Sequence, residues 1–177
     1  LSEAELRSVF ARGALLDARA AEALVLKGFG RLIGANRRVA DVGAATETIE
    51  DAAFGGLGGD VINVRWEGIA WQFEWQAGAH VVSRLRDYEG RAVGHGIVLF
   101  ENDLGGRVAV YPFDGQAHGV TSLGVSYRPM VSPSFLCWTR QAQLVAVLEW
   151  LQRSPLPLLV PDAPDAYPLL IEQEGRL

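Results

Sequence analysis

Gly94–Gly115, GHGIVLFENDLGGRVAVYPFDG, decides how the rest of this sequence is read. Two apolar runs, Ile97–Phe100 and Val108–Phe113, flank a turn-forming set, Asn102–Gly106. Asn, Asp and Gly between two such runs predict a β-hairpin with a glycine-containing loop. Neither arm alternates cleanly between apolar and polar, so each strand is expected to meet protein on both faces. A hairpin enclosed in that way belongs in the middle of a sheet or between layers. The other segments then become what covers it.

Upstream, a meander leads into the hairpin. Val61–Trp66 reads as a strand and Glu67-Gly68 as a turn. Ile69–Gln76 sets Ile69, Trp71, Phe73 and Trp75 against Gln72, Glu74 and Gln76, the period-two pattern of a strand with one aromatic and one polar face. Ala77-Gly78 turns, Ala79–Arg86 returns, Asp87–Gly90 turns again, and Arg91–Glu101 enters the hairpin. Turns at this regular spacing suggest an antiparallel sandwich or open barrel.

The N-terminal residues are of another kind. Ser2 and Glu5 form a capping box ahead of a short helix, Glu3–Arg12, closed by Gly13. Ala14–Leu16 is a brief extended piece. Asp17 then caps a helix over Ala18–Lys27, ended by Gly28, and Phe29–Ala35 reads as extended. This alternation is α/β in style but too short to be an α/β domain. In Asn36–Asp60, Val39–Val42 and Glu47–Glu50 read as short strands and Gly55–Gly59 as a loop. No strand-to-helix context gives that glycine run a phosphate-cradling role.

Beyond the hairpin, Gln116–Val131 is a long connection. Ser132-Pro133 is expected to open a helix over about residues 133–152, with Leu144, Val147, Leu148 and Leu151 as its apolar stripe, widened by Trp138 and Trp150. Leu158–Val160 and Tyr167–Ile171 read as two last strands. The reading as a whole is α+β: a sandwich or open barrel of about seven to nine strands, with an N-terminal helical pair and one longer helix near the C-terminus. Residues 1–36 read as the remnant of a preceding domain and 37–177 as a β-rich domain. Leu1 is not Met, and IEQEGRL carries a Glu-Gly turn signal with no returning strand. Both suggest a piece of a longer chain.

Bulk properties exclude some functions. At 177 residues with 49% hydrophobic and 21% charged, the chain supports a real core. A net charge of −5 and a pI near 5.2 argue against a nucleic-acid partner. No apolar run approaches the roughly 20 residues of a membrane span. LSEAELRSVF lacks the pattern of a signal peptide, and the lone Cys137 excludes an internal disulfide. The expected location is therefore the cytoplasm, with no membrane partner.

Candidate chemistry is sparse. Cys137 sits among Phe135, Leu136 and Trp138, flanks that suit a structural thiol better than a nucleophile. His80, His95 and His118 share no motif spacing, so no metal or cofactor is expected. Glu101 with Asp103, or Glu67 with Glu74, would be the carboxylates of a stand-alone hydrolase, but Glu101 and Asp103 sit at a hairpin tip, where solvated turn residues are ordinary. Arg107 is expected to pair with Glu101 or Asp103 across the turn. Trp71 and Trp75, with Trp66 nearby, are the candidate ligand-binding residues, because aromatic faces stack on sugar rings. The competing reading makes that face an inner wall of the sandwich.

Three groups of residues carry a resemblance. They are Gly13-Ala14-Leu15-Leu16-Asp17 through Ile33-Gly34, then Glu101-Asn102-Asp103-Leu104-Gly105-Gly106-Arg107-Val108-Ala109-Val110, then Arg140-x-x-Gln143 through Leu151. In these the chain resembles bacterial β-galactosidase-like glycoside hydrolases, most of them uncharacterised. The resemblance implies a parent with a (β/α)-barrel, an amidotransferase-like α/β domain and a β-rich tail. This chain would hold the end of the second and most of the third. It maps no catalytic residue onto any position here. The function it implies is a non-catalytic C-terminal module, acting in packing against the parent chain or in homo-oligomer contacts. The alternatives are a carbohydrate-binding module using the aromatic strand, and a stand-alone carboxylate hydrolase.

Overall fold

The structure is a computed structural model, and it describes residues 2–55, 60–65, 67–114 and 137–157. Trp66, His118, the Gln116–Val131 connection, Ser132-Pro133 and the two last predicted strands lie outside these. Among the described residues there are three α-helices and ten strands in three sheets: an α+β fold rich in antiparallel pairing, with no closed barrel.

Helix α1 (Glu3–Arg12) starts as its sequence requires. The Ser2 side chain accepts from Glu5 N–H, and the Glu5 carboxylate takes Ser2 N–H at 2.7 Å. Replacing Ser2 with Ala should cost about 1 kcal/mol, a fall in melting temperature of roughly 3 °C by thermal circular dichroism. Strand β1 (Ala14–Leu16) follows. Then α2 (Ala18–Leu26) begins at Asp17, whose carboxylate accepts from Ala20 N–H at 2.7 Å. Phe29–Ala35 departs from its extended reading: Gly30–Leu32 is a 3-10 turn, and Gly34 has φ +73°. Glycine is required at 34 twice over, because a Cβ there would overlap the Phe100 ring.

The next strands are β2 (Ala35–Gly43), β3 (Thr46–Ile49), β4 (Val61–Asn63) and β5 (Ile69–Trp75). They continue as β6 (His80–Val81), β7 (Ser83–Arg86), β8 (Ala92–His95), β9 (Val98–Glu101) and β10 (Arg107–Val110). The first sheet has the order β1-β10-β9-β6, with β1 parallel to β10 and the other pairs antiparallel. A second sheet is the β2–β5 pair, and the third has the order β4-β3-β7-β8.

Two stretches expected as single strands are each broken. Ala79–Arg86 splits at Val82 into β6 and β7, and Arg91–Glu101 splits at Gly96-Ile97 into β8 and β9. Both halves of this hairpin thus cross from the first sheet to the third. Pairing carries through the bend, with Val82 N–H on Ile97 O at 2.9 Å and Gly96 N–H on Ser83 O at 2.8 Å. A corner of this kind lets one hairpin serve two packed sheets.

The central hairpin is enclosed as expected. Val108, Ala109 and Val110 are buried, as are Val98 and Leu99. Leu99 and Ala109 point into a core shared with Ile49, Ile62, Leu85 and Phe113. Val108 and Val110 point the other way, into a core with Phe10, Ala21, Leu24 and Phe73. Each such aliphatic side chain contributes about 1.5–3 kcal/mol by burial.

At the hairpin tip Glu101 and Asp103 are exposed, as expected of a turn, and Asn102 is the exception. Asn102 is 4% exposed. Its Oδ1 accepts from Leu104 and Gly106 N–H at 3.0 and 3.1 Å, and its Nδ2 donates to Phe10 O and Leu32 O at 3.0 and 3.1 Å. One side chain therefore closes the loop and ties it to the ends of α1 and the 3-10 turn. A Cβ at Gly106 would run into the Phe10 carbonyl oxygen, so that contact demands glycine.

Helix α3 (Trp138–Gln152) starts later than position 133, with Cys137 extended at its N-cap. Val147 of the expected stripe is fully buried and Leu151 packs against the first core, but the buried face also takes in two polar residues. Arg140, Gln143 and Val147 are buried, while Leu148 and Trp138 are exposed.

Candidate functional site

The aromatic strand is reached from β5 and its partner β2. Phe73 is buried in the second core, and Trp71 and Trp75 pack against that core half-buried. The Arg38 guanidinium lies 3.9 Å from the centre of the Trp71 ring and is held by Asp41 and Glu22, at 2.5 and 2.8 Å. A cation over an aromatic face is favourable by about 0.5–1 kcal/mol at exposed sites, and it covers the face on which a sugar would stack. The rings of Phe73 and Trp75 are tilted by 58°. Trp66 lies outside the described residues. The polar side of β5 is wet only in part: Glu74 is exposed, but Gln72 is buried and bonds the N–H and C=O of the His95 backbone.

The carboxylates considered for hydrolysis do not converge. Glu101 pairs with Arg153 at 3.0 Å and with Arg107 at 3.3 Å, and these hydrogen bonds hold its carboxyl below the usual range. The expected pairing of Arg107 is thus present. Its guanidinium also donates to Trp150 O at 2.7 Å, and Arg153 donates to Gly105 O at 2.7 Å. Together they fasten the hairpin tip to the end of α3. Glu74 is held by Arg37 at 2.8 Å on the exposed side of the β2–β5 pair. Asp103 is exposed in the turn. His80 meets Asp51 at 2.7 Å. His95 sits apart, and burial, with the charge of Arg84, lowers its pKa. Among the described residues no cluster of His, Cys, Asp and Glu could hold a metal ion. Cys137 is half-buried against the first core, the structural placement expected for it.

The most concentrated chemistry lies where the sequence singled out least. Glu47 on β3 is fully buried beneath α3. It accepts from Arg140 Nη2 at 2.5 Å, Ser83 Oγ at 2.5 Å and Gln143 Nε2 at 3.1 Å. Arg140 Nη1 also donates to Gln143 Oε1. Ser83 Oγ accepts from Ile97 N–H at 2.9 Å, so the group reaches the sheet-crossing bend. Glu67, also buried, accepts from Tyr111 OH at 3.0 Å, and the Arg140 guanidinium lies 5.2 Å from the centre of the Tyr111 ring. Burial pushes the Glu47 carboxyl up, but the charge and hydrogen bond of Arg140, with Ser83 and Gln143, outweigh it and leave it below the usual range. Burial raises the Tyr111 hydroxyl well above its ordinary value, and Arg140 only partly opposes this. These groups have the chemistry of a proton-transfer site without the access of one. Their arrangement joins α3 to the third sheet and to Tyr111, the residue after β10.

Arg140 and Gln143 enter the sequence reading only through the resemblance, Glu47 only as the start of a short strand and Tyr111 only within an arm expected to be enclosed; Ser83 is singled out nowhere. The one available signal is the i, i+3 spacing of Arg140 and Gln143, which sets both on the face of Val147.

A shallow groove of about 210 Å³ lies elsewhere, between Arg12, Gly13 and Leu15 on one side and Leu148, Leu151 and Gln152 on the other. It is smaller than the roughly 300–1,000 Å³ of small-molecule sites and carries no acid–base pair. Leu15 and Leu148 at its rim are 42% and 39% exposed. No helix among the described residues is long and apolar enough to cross a membrane. Compared with protein-family profiles, curated proteins and solved structures, the chain matches none.

Proposed function

We propose that this chain is a non-catalytic C-terminal module of a β-galactosidase-like glycoside hydrolase, acting in packing against the parent chain or in oligomer contacts. The observation that carries the reading is the groove at Leu15 and Leu148, an apolar surface suited to burial against another protein surface. The resemblance through Glu101–Val110 supplies the parent. The acid side chains offer further support, since Glu101, Glu74 and Glu47 are all engaged by arginine.

Two experiments test the reading. The gene upstream of residue 1 is expected to encode a barrel and an amidotransferase-like domain; a gene without them contradicts the proposal. Calorimetric titration of the chain with galactosides and β-linked oligosaccharides is expected to give no binding heat. Saturable heat that disappears in Trp71→Ala would replace this reading with the carbohydrate-binding alternative.

A further inference from the structure

We propose that the groove beside β1 receives an extended polypeptide strand bearing an apolar side chain and a carboxylate. The strand would add to the β1 edge of the first sheet. This deepens the packing role proposed above and rests on it.

The backbone supplies the first argument. Among the described residues β1 is the outermost strand of its sheet, paired in parallel with β10 through Ala14–Val108, Leu15–Ala109 and Leu16–Val110. Leu16 O accepts from Tyr111 N–H at 2.8 Å, so Leu16 directs its polar groups toward β10. In a parallel ladder successive residues direct theirs to alternate sides. The N–H and C=O of Leu15 therefore face away from β10, and no described strand takes them up. An added strand completes one donor and one acceptor there, the mode by which sheet edges bind extended peptides.

The side chains supply the second. Leu15, Leu148 and Leu151 make the groove apolar alongside that edge, which suits one aliphatic side chain of an incoming strand. Arg12 supplies the third. It is exposed in the last turn of α1, and its Nε donates to Ser8 O at 3.3 Å. Among the described residues it has no carboxylate partner, unlike Arg19, Arg37, Arg84 and Arg153. No acidic residue lines the groove. The complement of this surface is an apolar residue and a nearby carboxylate on an extended backbone.

The test is selection of a displayed random octapeptide library on the immobilised 177-residue chain. Recovered peptides are expected to be β-prone, with an aliphatic residue and an Asp or Glu at constant spacing. A synthetic peptide of that sequence should shift the amide resonances of Arg12, Leu15 and Leu148 and slow exchange of the Leu15 N–H. Arg12→Glu should weaken it by about fivefold, and selection on that variant should recover Lys or Arg at the same position. Leu148→Lys, at an exposed site, provides a second variant, and circular dichroism checks that both stay folded. Recovery of no acidic–apolar consensus, or binding indifferent to both variants, overturns the proposal. Self-association of the chain that Leu148→Lys abolishes also overturns it, assigning the groove to a second copy. The outcome is independent of the upstream gene, so a failed selection with a barrel upstream removes the strand and leaves the module reading.

Discussion

Replacing Arg140 with Met is expected to destabilise the protein by about 3–5 kcal/mol, because removing one partner leaves the other charge buried and unpaired. In a chain of this size that is a fall in melting temperature of roughly 10 °C. Glu47 would keep Ser83 and Gln143 as donors but lose the cation that offsets its burial. Adding Glu47→Gln to Arg140→Met should recover much of the loss, since a neutral amide costs less to bury. A purely steric role for Arg140 predicts no such recovery.

The pH dependence gives the same claim a second readout. In the native protein the Glu47 carboxyl lies below its unfolded value. Its contribution is therefore full above the ordinary glutamate range and is lost as pH falls through the native value. In Arg140→Met burial dominates, which raises that carboxyl above its unfolded value. The variant should then bind a proton on folding and gain stability as pH falls from 7 to 5, whereas Glu47 gives the parent no such gain. Urea unfolding at the two pH values reads the difference. An Arg140→Met variant less stable at pH 5 than at pH 7 contradicts the assignment.

Asn102→Ala is the second large effect. It removes four hydrogen bonds at once and leaves Phe10 O, Leu32 O and Gly106 N–H to find other partners in buried surroundings. Unsatisfied buried groups cost about 1–3 kcal/mol each, and partial rewetting of the loop lowers the sum, so a loss of roughly 3 kcal/mol is expected. Asn102→Asp separates the two halves of the role. It keeps an oxygen for Leu104 and Gly106 but sets a carboxylate oxygen against two carbonyl oxygens. It should be no more stable than the alanine variant at pH 7. An Asn102→Asp protein as stable as the parent would mean that the tether to α1 and the 3-10 turn contributes nothing.

The parts legible in the sequence are those that local chemistry determines. The Asn102–Gly106 turn, the capping box at Ser2 and Glu5, and the cap at Asp17 each need only neighbours within a few residues, and all three are present. Enclosure of the hairpin was legible from its unbroken apolar arms. The strand breaks at Val82 and Gly96 were not, because a strand that changes sheets keeps its local pattern and alters only its distant partners. The polar half of the buried face of α3 is not legible for a related reason. Apolar periodicity picks out Leu144, Val147, Leu148 and Leu151, of which Val147 is buried, yet Arg140 and Gln143 turn inward beside it because Glu47, far away in sequence, is there to receive them. The aromatic alternation of β5 located a strand correctly but said nothing of Arg38, which lies over Trp71 from the neighbouring strand.

Everything here depends on β9 and β10 being covered from both sides. Native-state amide hydrogen exchange tests that most directly. The N–H groups of Leu99, Val108, Ala109 and Val110 should be among the slowest to exchange, opening only with global unfolding and responding to urea with the full unfolding slope. Exchange of these amides at the rate of the exposed β2 residues Arg37 and Asp41, independent of urea, would contradict the account.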